Sequence, residues 1–326
     1  ISNMKLEPNV WFDEVVKTYH LISPHIHHTQ LVTCPDLNEE LDGRFLFKPE
    51  SLQITGSFKV RGALSAISRL SKDELKRGVI AYSSGNHAQG VAHAAKVFNT
   101  PATVVMPKDA PERKIANART LGAQVIFYDR RTDNREEMSK EIAKEKNLVI
   151  INPYDALETI YGQGTAAYEV IHDANNPKLD NAIICAGGGG LTAGSCISIK
   201  HINPQCNVFT AEPEEWNDHQ LSFEKNERVA MDTNRGGLCD GLLTPTPGEI
   251  PFAINTHFGV KGLSASDQAV CEAMRFAFNR LNLKLEPSGA VALACLLQNK
   301  EKFRGSRTLV MLSGGNVDQQ TFAECL

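Results

Sequence analysis

Four glycines in a row, at 187–190, follow the apolar run 181–185 and precede a stretch of helical character at 191–200. A backbone free to enter positive φ can turn several N–H groups toward one point, and the helix that follows adds the positive end of its dipole. That combination suits a phosphate. The run has neither the GK[ST] of a nucleotide-binding P-loop nor the GxGxxG spacing of a dinucleotide site. Lys59 lies in Ser57-Phe58-Lys59-Val60-Arg61-Gly62. In a partly apolar site beside an aromatic ring, a lysine has a lowered pKa and can attack a carbonyl carbon. On the surface it is only a solvated charge. Ser83-Ser84-Gly85-Asn86-His87-Ala88-Gln89-Gly90 gathers hydroxyls and backbone donors at a helix start. Such a place suits a carboxylate, or one serine serves merely as a cap. Glu212-Pro213-Glu214-Glu215-Trp216-Asn217-Asp218 is either a solvated acidic turn or a set of oxygen ligands for a hard cation such as Mg²⁺ or Ca²⁺. Leu312-Ser313-Gly314-Gly315-Asn316 ends the last apolar run. The C-terminal end of a strand in an open α/β sheet is where ligands bind.

These residues need a scaffold. From residue 79, short β-branched runs alternate with amphipathic stretches: strands at 79–82, 102–106 and 124–128, helices at 86–98, 111–121 and 133–146. The rhythm returns as a strand at 181–185, a helix at 191–200 and a strand at 207–211. It closes with helices over 266–281 and 287–298 and a strand over 308–312. Repeated strand–helix units predict an α/β protein, a mostly parallel sheet with helices on both faces. Residues 227–262, rich in Gly, Pro, Thr and Asn, predict a long irregular segment with a functional reason to exist.

At 326 residues the chain has room for two domains of roughly 100–200 residues each. With 42 % hydrophobic and 22 % charged residues it can build a packed core, which excludes wholesale disorder. A net charge of −4, from 34 basic and 38 acidic residues, argues against a broad nucleic-acid or anionic-membrane surface. No apolar run approaches the ~20 residues that span a bilayer. Residues 1–10 show no apolar signal core, so secretion is not expected. The eight cysteines form no CxxC pair, which predicts reduced thiols in a cytoplasmic protein and no zinc site.

Taken in order over residues 20–318, TGSFKVRGA, SSGNHAQG, AGGGGL, EPSGA and LSGGN resemble the pyridoxal-phosphate enzymes of the tryptophan-synthase β-like fold (fold type II). Within that fold the resemblance is to the serine racemase and serine/threonine dehydratase group. It implies two open, twisted, mostly parallel sheets flanked by helices. A large cofactor-binding domain would come from 1–79 and 151–326, with a small domain, 80–150, inserted into it. By resemblance Lys59 carries the cofactor covalently and takes the α-proton from one face. Phe58 packs near the ring, and Asn86 bonds the phenolic oxygen. Gly187, Gly188, Gly189, Gly190 and Leu191 offer N–H groups to the phosphate. Gly241 lies against the other face of the ring, and Ser313 meets the pyridine nitrogen. A neutral hydroxyl at that nitrogen leaves the ring a weaker electron sink than a carboxylate would. That disfavours transamination and suits β-elimination or direct reprotonation. The cofactor phosphate is then the expected general acid for the leaving hydroxyl.

Ser84 turns the subgroup question. Common threonine dehydratases read SAGNHAQG, whereas Ser83-Ser84-Gly85 reads as the serine racemases do. There the hydroxyl faces the side opposite the lysine and reprotonates the α-carbon. Ser83, Ser84, Asn86 and His87 are the implied substrate site, with Arg135 as an arginine reaching the closed pocket. Racemase-like members also hold a divalent cation (Mg²⁺, Ca²⁺ or Mn²⁺), here implied at Glu212, the Trp216 carbonyl and Asp218. Tyr154 stands where the racemases have asparagine, and Thr244 where serine is common. Such a pocket could favour threonine, serine or a 3-hydroxyaspartate. No isoleucine-sensing regulatory domain is expected after residue 318. Family members are usually dimers, and some are activated by nucleotides. The expectation is a cytoplasmic, homodimeric enzyme that racemises serine and eliminates water from serine or threonine. The alternatives are a dehydratase only, on threonine, serine or threo-3-hydroxyaspartate, and a non-catalytic metabolite-binding protein.

Overall fold

The computed structural model describes residues 6–83, 85–175, 177–232 and 235–326, so Ser84 lies outside the described residues. Among them the strands are β1 (Val32–Thr33), β2 (Arg44–Pro49), β3 (Val79–Tyr82), β4 (Ala102–Pro107), β5 (Gln124–Tyr128), β6 (Val149–Ile150), β7 (Asn181–Cys185), β8 (Asn207–Pro213), β9 (Lys261–Ala265) and β10 (Arg307–Leu312). The helices are α1 (Pro8–Ile22), α2 (Pro35–Glu40), α3 (Lys59–Ser68), α4 (Lys72–Arg77), α5 (Asn86–Val97), α6 (Glu112–Thr120), α7 (Arg135–Lys146) and α8 (Leu157–Asp173). They continue as α9 (Gly190–Ile202), α10 (Asp218–Lys225), α11 (Glu249–His257), α12 (Asp267–Phe276), α13 (Pro287–Gln298), α14 (Lys300–Phe303) and α15 (Gln319–Cys325).

Two sheets result. One runs β1-β2-β10-β7-β8-β9, parallel except for β1 against β2. The other, β5-β4-β3-β6, is wholly parallel. Every residue of β4 and β7 is buried, as helices on both faces of a parallel sheet require, which is why these strands read as unbroken apolar runs. The core of the larger sheet gathers Phe45, Phe47, Ile183, Ile184, Leu309 and Val310 against Val291, Leu293 and Leu296 of α13. In the core of the smaller sheet, Val60, Leu64 and Ile67 of α3 meet Val79, Val91 and Val104. Among the described residues, no helix is long and apolar enough to cross a membrane.

Beneath α3 lies a fully buried cluster of four charges. Both Nη atoms of Arg61 bond Glu169 (2.7 and 3.0 Å), and Nη2 and Nε bond Glu50, the former at 3.1 Å. Nη1 also reaches Thr165 Oγ1 (3.1 Å), so all five guanidinium hydrogens are used. Lys48 completes the cluster with bonds to Glu169 (2.8 Å) and the Thr29 carbonyl (2.5 Å).

Three expectations need correction. The helix expected over 266–281 is α12 only to Phe276, after which residues 277–281 form a π-turn that ends at Asn282 in the left-handed region. The segment 227–262 is not irregular throughout, because it contains α11 and the start of β9. The α11 N-terminus is capped from far away: the Asp155 carboxylate accepts the Glu249 and Ile250 N–H groups (3.2 and 2.9 Å). Local sequence cannot show such a cap. Nor are all the cysteines reduced. Cys271 of α12 and Cys325 of α15 form a disulfide with Cα atoms 4.7 Å apart, while the other six are buried and free. The pair is 54 residues apart in sequence and meets because α15 folds back onto α12, with Phe322 edge-on to Phe278. The expectation of a cytoplasmic setting loses its support from reduced thiols.

Candidate active site

Lys59 is the first residue of α3, and the segment before it is stitched to the end of β10. Ser57 bridges Gly314, Phe58 N–H donates to the Ser313 carbonyl (3.1 Å), and Gly315 N–H donates to the Gly56 carbonyl (2.9 Å). The root of Lys59 is therefore fixed relative to Ser313. Its Nζ donates to the Pro153 carbonyl (3.1 Å) and lies 5.3 Å from the centre of the Phe58 ring. Burial lowers its pKa to about 8, which the nearby Cys185, last residue of β7, partly opposes. His87, buried on α5 with Nε2 bonded to the Ile151 carbonyl (2.9 Å), is pushed down to about 3 by burial and by the Lys59 charge. An amine attacks only when neutral. The chain stripped of cofactor should therefore recapture it roughly tenfold faster per pH unit up to about pH 8, then level off, as followed by the rise of bound-cofactor absorbance.

The glycine run turns from β7 into α9, with Gly189 at φ +98° as the residue before the first turn of the helix. The cradle peptides are held from outside. His219 Nε2 donates to the Gly187 carbonyl (2.7 Å), and Gly248 N–H donates to the Gly188 carbonyl (2.9 Å). In a trans peptide the C=O and the following N–H point opposite ways. Pinning these two oxygens outward therefore aims the Gly188 and Gly189 N–H groups into the cradle. The Tyr154 ring covers Gly188 so closely that a Cβ there would sit 2.0 Å from it.

Asn86 opens α5. Its Nδ2 donates to Glu286 (2.8 Å) and its Oδ1 accepts from Asn316 (2.7 Å), which leaves one amide hydrogen to offer. Ser313 is buried and donates weakly to the Ser288 carbonyl (3.5 Å). Gly241 N–H donates to Ser288 Oγ (2.9 Å), and its carbonyl lies beside Gly187. Ser83 Oγ accepts Gly85 N–H (3.0 Å). Arg135 opens α7, exposed, with its guanidinium 5.7 Å from the Tyr82 ring at the end of β3. Leu191 is buried in α9.

Sequence reasoning passed over Glu286 although EPSGA contains it. The residue precedes the Pro287 that starts α13, where an acid reads as an ordinary helix-start residue. Here it is buried, bonded to Asn86 and packed on Gly314, and burial pushes its carboxyl up to about 7.

The acidic turn also assembles. Glu212, at 0 % exposure near the end of β8, accepts the His219 and Gln220 N–H groups of α10 (2.8 and 3.0 Å). Its ligand atom, one from Asp218 and one from His219 lie within 4.8 Å of one another. Burial raises both carboxyls, and the closeness of Asp218 raises Glu212 further. Two buried acids set side by side behave so. Trp216 is buried in the same turn, its Nε1 donating to the Gly236 carbonyl (3.4 Å). His219 was not expected among these groups.

The Pyridoxal-phosphate dependent enzyme model matches residues 22–314. The chain is 39 % identical over 315 residues to serine racemase of Schizosaccharomyces pombe, covering 97 % of each chain. It is 38 % identical to L-threo-3-hydroxyaspartate ammonia-lyase of Saccharomyces cerevisiae, covering 96 % of this chain and 95 % of that one. The crystal structure of serine racemase from Dictyostelium discoideum superposes with a TM-score of 0.87 at 36 % identity, over 94 % of this chain and 98 % of that one. A lysine amine held beside a glycine cradle, on this fold, thus has its relatives: the chain belongs to the pyridoxal-phosphate dependent enzymes.

Proposed function

We propose that this enzyme racemises serine and eliminates water from serine and threonine. The observation that carries the reading is the Lys59 amine, lowered to about 8 and set beside Cys185 at the root of the cradle. The residues fit the cofactor. The run 187–190 with Leu191 would hold its phosphate, Lys59 its aldehyde carbon, Asn86 its phenolic oxygen, Ser313 its ring nitrogen, and Phe58 and Gly241 its faces. When bound, the cofactor supplies an electron-accepting ring that stabilises negative charge at the substrate α-carbon. Lys59 is the base that takes the α-proton on one face. Ser84 is the acid that returns it on the other. Ser83, Asn86 and His87 at the α5 start orient the carboxylate, and Arg135 meets it at the mouth. His87 is neutral at working pH and gives its one ring hydrogen to the Ile151 carbonyl, so it meets the carboxylate through its backbone N–H at the helix start.

Glu212, Asp218 and the Trp216 carbonyl fit a hard cation such as Mg²⁺, Ca²⁺ or Mn²⁺, since among the described residues the buried Asp218 Oδ2 has no hydrogen-bond partner. The resemblance also supports a small domain over 80–150, a homodimer and a cytoplasmic setting, with a nucleotide as a further effector.

Ser84→Ala separates the readings. Racemisation of L-serine should fall by roughly 10²-fold or more, while 2-oxo acid formation from L-serine stays within a few-fold. Chiral chromatography and a coupled oxo-acid assay read the two. If both activities survive equally, Ser84 is not the second acid–base group; a natural chain that forms 2-oxo acid from L-serine but no D-serine is a dehydratase only. The ammonia-lyase relative favours that second reading, with threo-3-hydroxyaspartate as the substrate to try.

A further inference from the structure

His219 is the second residue of α10 and has no exposed surface. It touches both the cradle and the acid pair. Nε2 donates to the Gly187 carbonyl (2.7 Å), and the Cε1 edge packs on Gly189, where a Cβ would come within 2.5 Å. Its own N–H donates to Glu212 Oε1 (2.8 Å). A carbonyl oxygen only accepts, so Nε2 carries the ring hydrogen and Nδ1 keeps a bare lone pair. Among the described residues, Nδ1 has no hydrogen-bond partner, and neither has Asp218 Oδ2, which stands 4.0 Å from Nε2. Buried acceptors left open beside a carboxylate are costly unless something positive comes to them.

Resting on the cofactor and cation sites above, we propose that His219 is a positioning residue joining them, so that a divalent cation and the cofactor phosphate bind cooperatively. A cation drawn to Glu212 and Asp218 fixes the first turn of α10 and with it the imidazole. The imidazole fixes the Gly187 carbonyl outward. The same peptide then presents the Gly188 N–H inward to the phosphate. Occupying the cradle orders the chain of contacts in the reverse direction. Linkage demands that each ligand change the affinity of the other by one and the same factor.

The test uses the full chain stripped of cofactor and metal. Pyridoxal phosphate is titrated by absorbance with and without saturating Mn²⁺, and Mn²⁺ by calorimetry with and without pyridoxal phosphate; inorganic phosphate replaces the cofactor in a parallel series. The expected result is a mutual gain in affinity within the roughly 5–150-fold range of such couplings, equal in both directions. His219→Leu keeps the bulk and removes both nitrogens. Each ligand should still bind, with the coupling factor reduced to about 1. His219→Gln, which keeps an amide donor for Gly187, should restore most of it. Independent binding in the natural chain, failure of Mn²⁺ to bind, or full coupling in His219→Leu each overturns the proposal. If His219→Leu does not melt cooperatively, the natural chain and His219→Gln decide on the same criteria. A chain that never turns yellow at any Mn²⁺ concentration refutes the function proposed above. Yellow protein without coupling refutes only the link.

Discussion

Lys59→Met is expected to lose racemisation and elimination together, by at least roughly 10²–10⁴-fold, the usual worth of a positioned acid–base group. The variant should take up pyridoxal phosphate without the absorbance change that borohydride reverses in the natural chain. Stability should move the other way. Among the described residues no carboxylate pairs with the Lys59 ammonium of the cofactor-free chain, and its pKa falls from 10.5 to about 8 because burial disfavours the charge. That shift is worth up to about 3 kcal/mol against folding. The sign follows from proton uptake. Below about pH 8 both folded and unfolded chains carry the proton, and the penalty is complete. Between about 8 and 10.5 only the unfolded chain binds it, so the penalty is relieved as pH rises. Denaturant melts of the two cofactor-free proteins should therefore differ most below pH 8 and converge toward pH 10. A variant that is both inactive and less stable would mean Lys59 has a structural partner in place of a chemical task.

Arg61→Met should be the most damaging single change to the fold. It leaves Glu50 and Glu169 buried with Lys48 to balance them and the His28 ring 3.8 Å from Glu169. Removing one partner from a buried ionic cluster costs about 3–5 kcal/mol. Burial alone would raise the Glu50 carboxyl, yet the Arg61 guanidinium and its hydrogen bonds outweigh that and hold it below the usual carboxylate range. In the natural chain this contribution is present above the unfolded carboxylate pKa and is lost as pH falls through the lower folded value. Without Arg61 the Glu50 pKa rises, and the folded variant gains stability by taking up a proton. The deficit should be full at neutral pH and shrink on acidification, as thermal melts at pH 7 and pH 4.5 would show. A constant deficit across that range would mean that lost packing, not lost charge, is responsible.

The strands were the most legible part of the chain. β3, β4, β7 and β10 are largely buried on both faces, so each is an apolar run ended by a turn, while the half-buried edge strand β5 was read from its β-branched and aromatic residues. The glycine cradle was legible for a related reason: only glycine reaches the φ of residue 189 without strain. What stayed hidden depends on distance in sequence. Asp155 caps α11 from 94 residues away, Asn86 meets Glu286 across 200, and His219 meets Gly187 across 32. The acidic turn was read for its carboxylates, and the imidazole beside them gains meaning only once β8 and α10 bring it under the cradle. Ser84 remains known from its type and position alone.

One arrangement governs when this enzyme can first become competent. β10 lies between β2 and β7, in the interior of the larger sheet, and the segment behind it sews Gly56, Ser57 and Phe58 in place. Lys59 is made some 250 residues before the wall that fixes it. A chain ending before β10 would leave β2 and β7 unjoined along this seam and the Lys59 root without the backbone that fixes it.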